Sequence, residues 1–365
     1  LFICTFILGY SQQKKLTLED AVLGYYKGLY PISLSNLKWV KNTDNYVFEK
    51  ENNFVFTDAR TSEIVKETSL VNLQEAYPQL KRMPYIQEVD ASSLAFRTKN
   101  AIEVFNYVTN SKETTITFDD SAENNEYNSK AKAVAYTLDN NLYLATASNS
   151  KIAVTNIEDK NIVSGQAIHR SEFGITKGTF WSPKGNFLAF YQKDETNVSD
   201  YPLVDINSYP ASLKNIKYPM AGQASERAKI GIFNLKTQKT TYLDIDTSDE
   251  HYLTNLSWTP DEKYVLVAEI NRGQNHVWYN KYTVATGKKA TTLFEETNDK
   301  WTEPEHDAVF LPNSTTNFLW FSERDGFMNL YHYTTDGKFV KQLTNFDWVV
   351  TEILGFDEKG KNVFI

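Results

Sequence analysis

One pattern recurs along the chain: an aromatic residue, a polar turn, an apolar run, a second turn and a second run. Trp39 and the turn Lys41-Asn42-Thr43-Asp44-Asn45 lead into Tyr46-Val47-Phe48, and Asn52-Asn53 leads into Phe54-Val55-Phe56. Ser92-Ser93-Leu94-Ala95-Phe96 is followed by Ile102-Glu103-Val104-Phe105, and Asp139-Asn140-Asn141 by Leu142-Tyr143-Leu144-Ala145. Trp181-Ser182-Pro183 has a counterpart in Trp258-Thr259-Pro260, each followed by a turn and an apolar run. Starts fall near Trp39, Tyr85, Tyr136, Trp181, Trp258 and Phe310, with a seventh at Phe356. A spacing of about 45 to 55 residues with several short strands per unit is the signature of propeller blades, none of which can bury its own faces alone. The expectation is an all-β chain of four-stranded antiparallel blades: six, plus part of a seventh, with no strand pairing that closes a ring.

The interval from Trp181 to Trp258 is too long for one unit, and an insertion from Asp194 to Arg227 accounts for the excess. Its segments Tyr201-Pro202-Leu203-Val204-Asp205 and Tyr218-Pro219-Met220-Ala221-Gly222 do not alternate as strands do, and their aromatic content argues against disorder. Before the first unit, Leu1 to Gly9 is apolar but far shorter than the roughly 20 residues that span a bilayer. It reads as the remnant of a secretory signal over residues 1–11, with a cut ahead of Gln12. Cys4, the only cysteine, would leave with it, so no disulfide or thiolate metal site is expected. Residues 12–37 are expected to hold a short helix opened by the capping box Thr17-Leu18-Glu19-Asp20 and packed on the main body. Residues 38–365 would be the incomplete propeller.

The formal charge of −8 and the lack of a basic tract leave nucleic acid an unlikely partner. Aromatic residues make up 14% of the chain, which suits strands. No G-x-S-x-G, G-x-x-x-x-G-K-[ST] or G-x-G-x-x-G occurs, and the five histidines lack the spacing of a helical metal pair. No metal, cofactor or catalytic set follows from these residues. Asn197, Asn255 and Asn313 stand in N-x-[ST] sequences, and Asp244-x-Asp246 reads as a solvated turn. The exception is His169-Arg170-Ser171-Glu172-Phe173-Gly174, which has no strand alternation and reads as an excursion between strands. Glu172 is either an ordinary surface carboxylate paired with Arg170 or Lys177, or a carboxylate held to receive a cation.

The run from Glu172-Phe173-Gly174 through Trp181-Ser182-Pro183-Lys184-Gly185-Asn186-Phe187-Leu188-Ala189-Phe190 resembles the dipeptidyl peptidase IV group of the prolyl oligopeptidase serine peptidases, in its bacterial form. Asp194-Glu195-Thr196-x-Val198, Lys217 to Gly222, Glu323 to Phe327 and Thr344 to Trp348 follow in the same order as that group's landmarks. The resemblance implies an eight-bladed propeller capping an α/β-hydrolase domain with a Ser-Asp-His triad, an enzyme that trims dipeptides from N-termini after Pro or Ala. Of this only the propeller, cut to about six to seven blades, is expected here, and the triad would lie in the hydrolase domain that is absent. Glu172 would bind the substrate's α-ammonium, with Arg170 beside it as a second substrate-binding residue. The group's better-known members carry adjacent glutamates, whereas Ser171 precedes Glu172 here, so removal of dipeptides or of tripeptides are both open. The implied partners are peptides with a free N-terminus and the chain's own hydrolase domain, with a homodimer as a further expectation and a periplasmic or secreted location. The alternative from another class is a free-standing propeller that binds a peptide or protein without catalysis.

Overall fold

The computed structural model describes residues 15–31 and 33–365. The apolar start, Cys4 and the expected cut ahead of Gln12 lie outside the described residues. Two compact units divide the described residues: those up to 94 together with 106–111, and residues 95–105 together with 112–365.

In the first unit, an α-helix spans Leu18–Leu23 and opens on the expected capping box. Thr17 Oγ1 accepts the Asp20 N–H at 3.0 Å, and Asp20 Oδ2 accepts the Thr17 N–H at 3.2 Å. The expected packing is not seen, because none of the helix residues is buried. The first strand begins at Ser35, slightly before the expected boundary, and the sheet of residues 35–69 has four antiparallel strands in sequence order.

Five further four-stranded paths follow over residues 86–117, 123–153, 162–242, 251–297 and 309–342, and a two-stranded piece over 355–364. Neighbouring strands in each path pair antiparallel, the arrangement of propeller blades, and in the path over 162–242 the short strand Thr179–Trp181 also pairs with Phe187–Asp194. The recurring aromatics do not hold one place in every blade. Trp258 ends the first strand of its sheet, while Tyr136 lies in the second strand of its own, Ala133–Leu138.

Burial explains the near-continuous apolar runs. The strand Phe187–Asp194 sends Leu188 and Phe190 into one cluster, with Ala135, Leu142 and Leu144 of the preceding blade. Its alternate residues Ala189 and Tyr191 enter another cluster, with Leu253, Val265 and Val267 of the following blade. Tyr264–Asn271 divides in the same way, Val265 and Val267 to one side, Leu266, Ala268 and Ile270 to the other. A strand buried on both faces has no polar face, so the period of two vanishes from the sequence.

The turns after the paired Trp motifs stitch blades together. Trp181 Nε1 donates to the Glu126 carbonyl at 3.3 Å and Trp258 Nε1 to the Phe180 carbonyl at 3.0 Å, each reaching one blade back. Glu262, in the turn after Thr259-Pro260, accepts the Lys184 N–H and the Asn186 side-chain amide, both at 2.7 Å. Burial raises its carboxyl, but the bonds from Ser182, Asn186 and Lys184 prevail and hold it below the usual range.

The insertion leaves the fourth blade after Asp194 and returns at Arg227, two residues that face each other in the sheet. Its first segment is a strand after all: Asp200–Asp205 pairs with Ser212–Lys217 as a hairpin. Neither strand has a buried residue, and alternation in a sequence reports burial, not extended backbone.

Phe190 is fully buried. Phe190→Ala should therefore destabilise the chain by about 3–5 kcal/mol, through lost transfer energy and the cavity left behind. The denaturant midpoint followed by tryptophan fluorescence would measure this, and a loss under 1 kcal/mol would contradict the shared core.

Candidate functional site

The first strand of the fourth blade is interrupted. Ile162–Ser164 pairs with Gln192 to Asp194, and Thr179–Trp181 pairs with Leu188 to Phe190, leaving Tyr191 between them. The chain departs and returns at Tyr191: Gly165 N–H donates to the Tyr191 carbonyl at 2.8 Å, and Tyr191 N–H donates to the Gly178 carbonyl at 2.9 Å. A Cβ on Gly178 would lie 2.3 Å from the Gln166 backbone, so the two sides of this neck meet only at glycine. Residues 165–178 form the excursion read from the sequence.

Glu172 follows a single 3₁₀ turn, His169–Ser171, whose residues are left-handed at φ 52°, 56° and 64°. Glu172 itself is extended, and Phe173 and Gly174 return to positive φ. A Cβ on Gly174 would lie 2.1 Å from the Glu305 carbonyl oxygen, so the segment seats directly on the 303–307 stretch. Phe173 is buried against Tyr252 with ring centres 5.0 Å apart, and its carbonyl accepts the Thr254 hydroxyl at 3.0 Å.

His169 is buried, and burial, then the charges of His251 and Lys193, lower its imidazole from 6.5 to about 3. It is neutral, and because Nε2 accepts the Leu253 N–H at 3.0 Å, its one ring proton sits on Nδ1. The His169 backbone N–H donates to Glu226 Oε1 at 2.5 Å.

The Glu172 side chain is exposed and has no hydrogen bond or ion pair among the described residues. Both partners that an ordinary surface pair would use are engaged elsewhere. Lys177 Nζ binds Glu126 at 2.6 Å. The Arg170 guanidinium donates to the Lys217 carbonyl and lies over the Tyr218 ring, 4.8 Å from its centre. Arg170 therefore braces the inserted hairpin, and no ion pair joins it to Glu172 among the described residues.

Around Glu172 the field is negative. A cavity of about 280 Å³ is lined by Trp301, Glu303, Phe321, Glu323 and Arg324, among others. Burial raises the Glu303 carboxyl, and Glu305, Glu172 and Glu323 raise it further in that order. Two cations, Lys300 and Arg324, also line this wall, and Arg324 is committed to Glu296 and to the rings of Tyr331 and Tyr333. Asp307 borders a smaller cavity of about 70 Å³ with Gly174, Lys177 and Asn255. Its side opens to solvent, yet the protein packed around it raises the carboxyl to about 6, against the opposing pull of Lys177. Such a surface suits a cation and repels a carboxylate.

Sequence reasoning missed Glu303, Glu305 and Asp307, although Glu303-Pro304-Glu305-His306-Asp307 is a visible acidic run. It also missed His169 and Glu226 as a buried polar pair. Asn255 is buried, so its N-x-[ST] sequence is not an accessible glycan acceptor in this fold. Asp246 caps its own turn by accepting the Ser248 N–H at 2.9 Å. Among the described residues no cluster of His, Cys, Asp or Glu is arranged to hold a metal, and no helix is long and apolar enough to cross a membrane.

Successive four-stranded antiparallel blades, with an acidic excursion on one of them, define a β-propeller protein. Residues 81–364 match the family described as dipeptidyl peptidase IV (DPP IV) N-terminal region, and the chain belongs to that family. A candidate dipeptidyl aminopeptidase IV from Bacteroides ovatus superimposes with a TM-score of 0.85 at 38% identity, over 96% of this chain and 52% of that one. Porphyromonas gingivalis dipeptidyl peptidase 4 shares the fold at a TM-score of 0.74 and 19% identity, over 95% of this chain and 52% of that one. Dipeptidyl aminopeptidase B of Saccharomyces cerevisiae is 25% identical over 253 residues, covering 63% of this chain and 31% of that protein. The chain thus spans about half the length of these solved relatives and about a third of the yeast one.

The His169 shift gives a pH dependence. Above pH 6.5 the imidazole is neutral folded and unfolded, and its contribution is complete. Below 6.5 the unfolded chain takes up a proton that the folded site refuses until about 3, so stability falls as the pH is lowered across that window. His169→Gln should remove this part of the loss, on the order of 2–3 kcal/mol by pH 4. Denaturant midpoints of parent and variant at pH 7, 5 and 4 would show it, and parallel curves would refute it.

Proposed function

We propose that this chain is the substrate-binding half of a serine exopeptidase that removes dipeptides from free N-termini, after Pro or Ala, with Glu172 receiving the α-ammonium. One observation carries the reading: an exposed carboxylate, unpaired among the described residues, beside a strained turn, with Arg170 and Lys177 both engaged elsewhere. The family and its peptidase relatives support the same assignment. A carboxylate forms a charge-assisted hydrogen bond to an ammonium, stronger than a neutral one. Fixing the amine sets the distance from the N-terminus to the bond that is cut, and so counts residues. The propeller gates access to a nucleophile outside these 365 residues, which contain no G-x-S-x-G. The surrounding carboxylates draw cationic N-termini towards Glu172, and a periplasmic or secreted location, open to test by cell fractionation, suits such a substrate.

In the full-length peptidase, Glu172→Gln keeps the shape and removes the charge. Hydrogen bonds to charged groups contribute about 1.5–3 kcal/mol, so kcat/KM on Gly-Pro nitroanilide should fall roughly tenfold to a hundredfold. A serine-directed phosphonate should abolish the activity altogether. A Glu172→Gln enzyme within twofold of its parent would place the amine site elsewhere.

A homodimer is part of the same proposal. The hairpin exposes Leu203, Val204, Ile206, Tyr209 and Leu213 together, an apolar surface suited to a second copy. Val204→Lys with Leu213→Lys should lower the mass found by sedimentation from twice the chain mass to once. An unchanged mass would exclude this surface as the contact.

A further inference from the structure

Left-handed backbone is unfavourable for residues with a Cβ and persists only where its surroundings impose it. His169, Arg170, Ser171 and Phe173 all adopt it, within one segment of an exposed excursion. The imposing contacts are few and can be named. Glu226 Oε1 accepts the His169 N–H at 2.5 Å, His169 Nε2 accepts the Leu253 N–H at 3.0 Å, and the Phe173 carbonyl accepts the Thr254 hydroxyl at 3.0 Å. The His169 and Glu226 side chains are 1% and 2% exposed. Glu226 Oε1 is also 3.7 Å from His169 Nδ1, beyond hydrogen-bond reach, so its hydrogen bond to this residue is the one from the backbone N–H.

A buried carboxylate is expensive to keep, and the cation paired with it among the described residues, Lys193 at 4.0 Å, is bonded more closely to Glu195 at 2.8 Å. Core packing does not need a charge at this position, but the turn needs a strong acceptor there. An unpaired His169 N–H inside the blade would cost more than the bond itself contributes.

We propose that Glu226 is a positioning residue for Glu172: it clamps the first residue of the left-handed turn and thereby sets where the Glu172 carboxylate stands. The proposal rests on the reading that Glu172 receives the substrate ammonium. Without the clamp the turn relaxes towards ordinary backbone, and only a fraction of molecules present Glu172 correctly. Apparent affinity falls by that fraction, while chemistry on the substrate that does bind is untouched. Glu226 acts through the backbone of residues 169–172 and makes no substrate contact itself.

The test uses the full-length peptidase with Gly-Pro nitroanilide, together with hydrogen–deuterium exchange over residues 168–174 and over the strand Phe187–Asp194. Glu226→Ala should raise KM about fivefold or more with kcat within twofold. It should also speed exchange at 168–174 by about tenfold while leaving the strand unchanged. Glu226→Gln, whose amide oxygen still accepts the His169 N–H, should keep KM within twofold of the parent. If Glu226→Ala does not fold, Thr254→Val removes only the bond to the Phe173 carbonyl and should give the same pattern. Unchanged exchange at 168–174, faster exchange spread through the blade, an unmoved KM, or a Gln variant as damaged as the Ala one would each overturn the clamp. Glu172→Gln measured alongside separates the two ideas. If it leaves KM unchanged the ammonium reading falls and the positioning role with it; if it damages KM while Glu226→Ala leaves exchange unchanged, only the clamp falls.

Discussion

Burial of each inner strand on both faces is the constraint from which the rest follows. Leu188 and Phe190 belong to one interblade core, Ala189 and Tyr191 to the next, and every displacement of that strand would disturb both. Interiors packed at this density do not deform by small amounts. A backbone departure from such a sheet is tolerated only where its polar groups stay satisfied. At Tyr191 they do, because Gly165 and Gly178 bond to its carbonyl and N–H on either side of the gap. The excursion that carries Glu172 therefore begins and ends at a fully buried residue, and its base is as fixed as the core itself.

Local chemistry was legible in the sequence and distant chemistry was not. Trp181-Ser182-Pro183 and Trp258-Thr259-Pro260 announced turns because Pro and the residues after it set backbone angles by themselves. Their interval also revealed the insertion, whose ends at Asp194 and Arg227 the structure pairs. The hairpin inside it stayed hidden, since Tyr201, Leu203 and Val204 face solvent and leave no alternation to read. Glu172 stood out for its setting among His169, Arg170 and Phe173, but the roles of those neighbours did not. Arg170 turns to Lys217 and Tyr218, and His169 reaches Leu253 and Glu226, contacts made across long stretches of chain that no local pattern encodes.

The electrostatic arrangement is economical in its use of cations. Lys177, Lys193 and Arg324 each have a carboxylate partner, on Glu126, Glu195 and Glu296. Glu172, Glu303, Glu305 and Glu323 have no ion-pair partner among the described residues, and burial first, then the charges of the other three, raise the Glu303 carboxyl. Self-repulsion of this kind works against stability, and a surface chosen only for stability would have paired these groups. A cationic ligand of the proposed kind would relieve the repulsion, so part of its binding energy would come from the destabilisation of the empty site.

That relief is useful only if the carboxylate does not have to be found. A flexible acidic loop would lose backbone freedom on binding, at roughly 1–2 kcal/mol for each residue fixed, and several residues would cancel one charge-assisted bond. Here the ordering has been completed during folding: His169, Phe173 and Gly174 are pinned by Leu253, Thr254 and the Glu305 backbone, and the left-handed strain between them is set against core contacts. Glu172 itself keeps ordinary extended angles and an exposed side chain, so in the proposed role it would bind without contributing to the fold. On the proposed reading, that separation of duties accounts for the plain geometry of Glu172 beside a strained turn whose His169 is buried and whose Arg170 is braced on the hairpin.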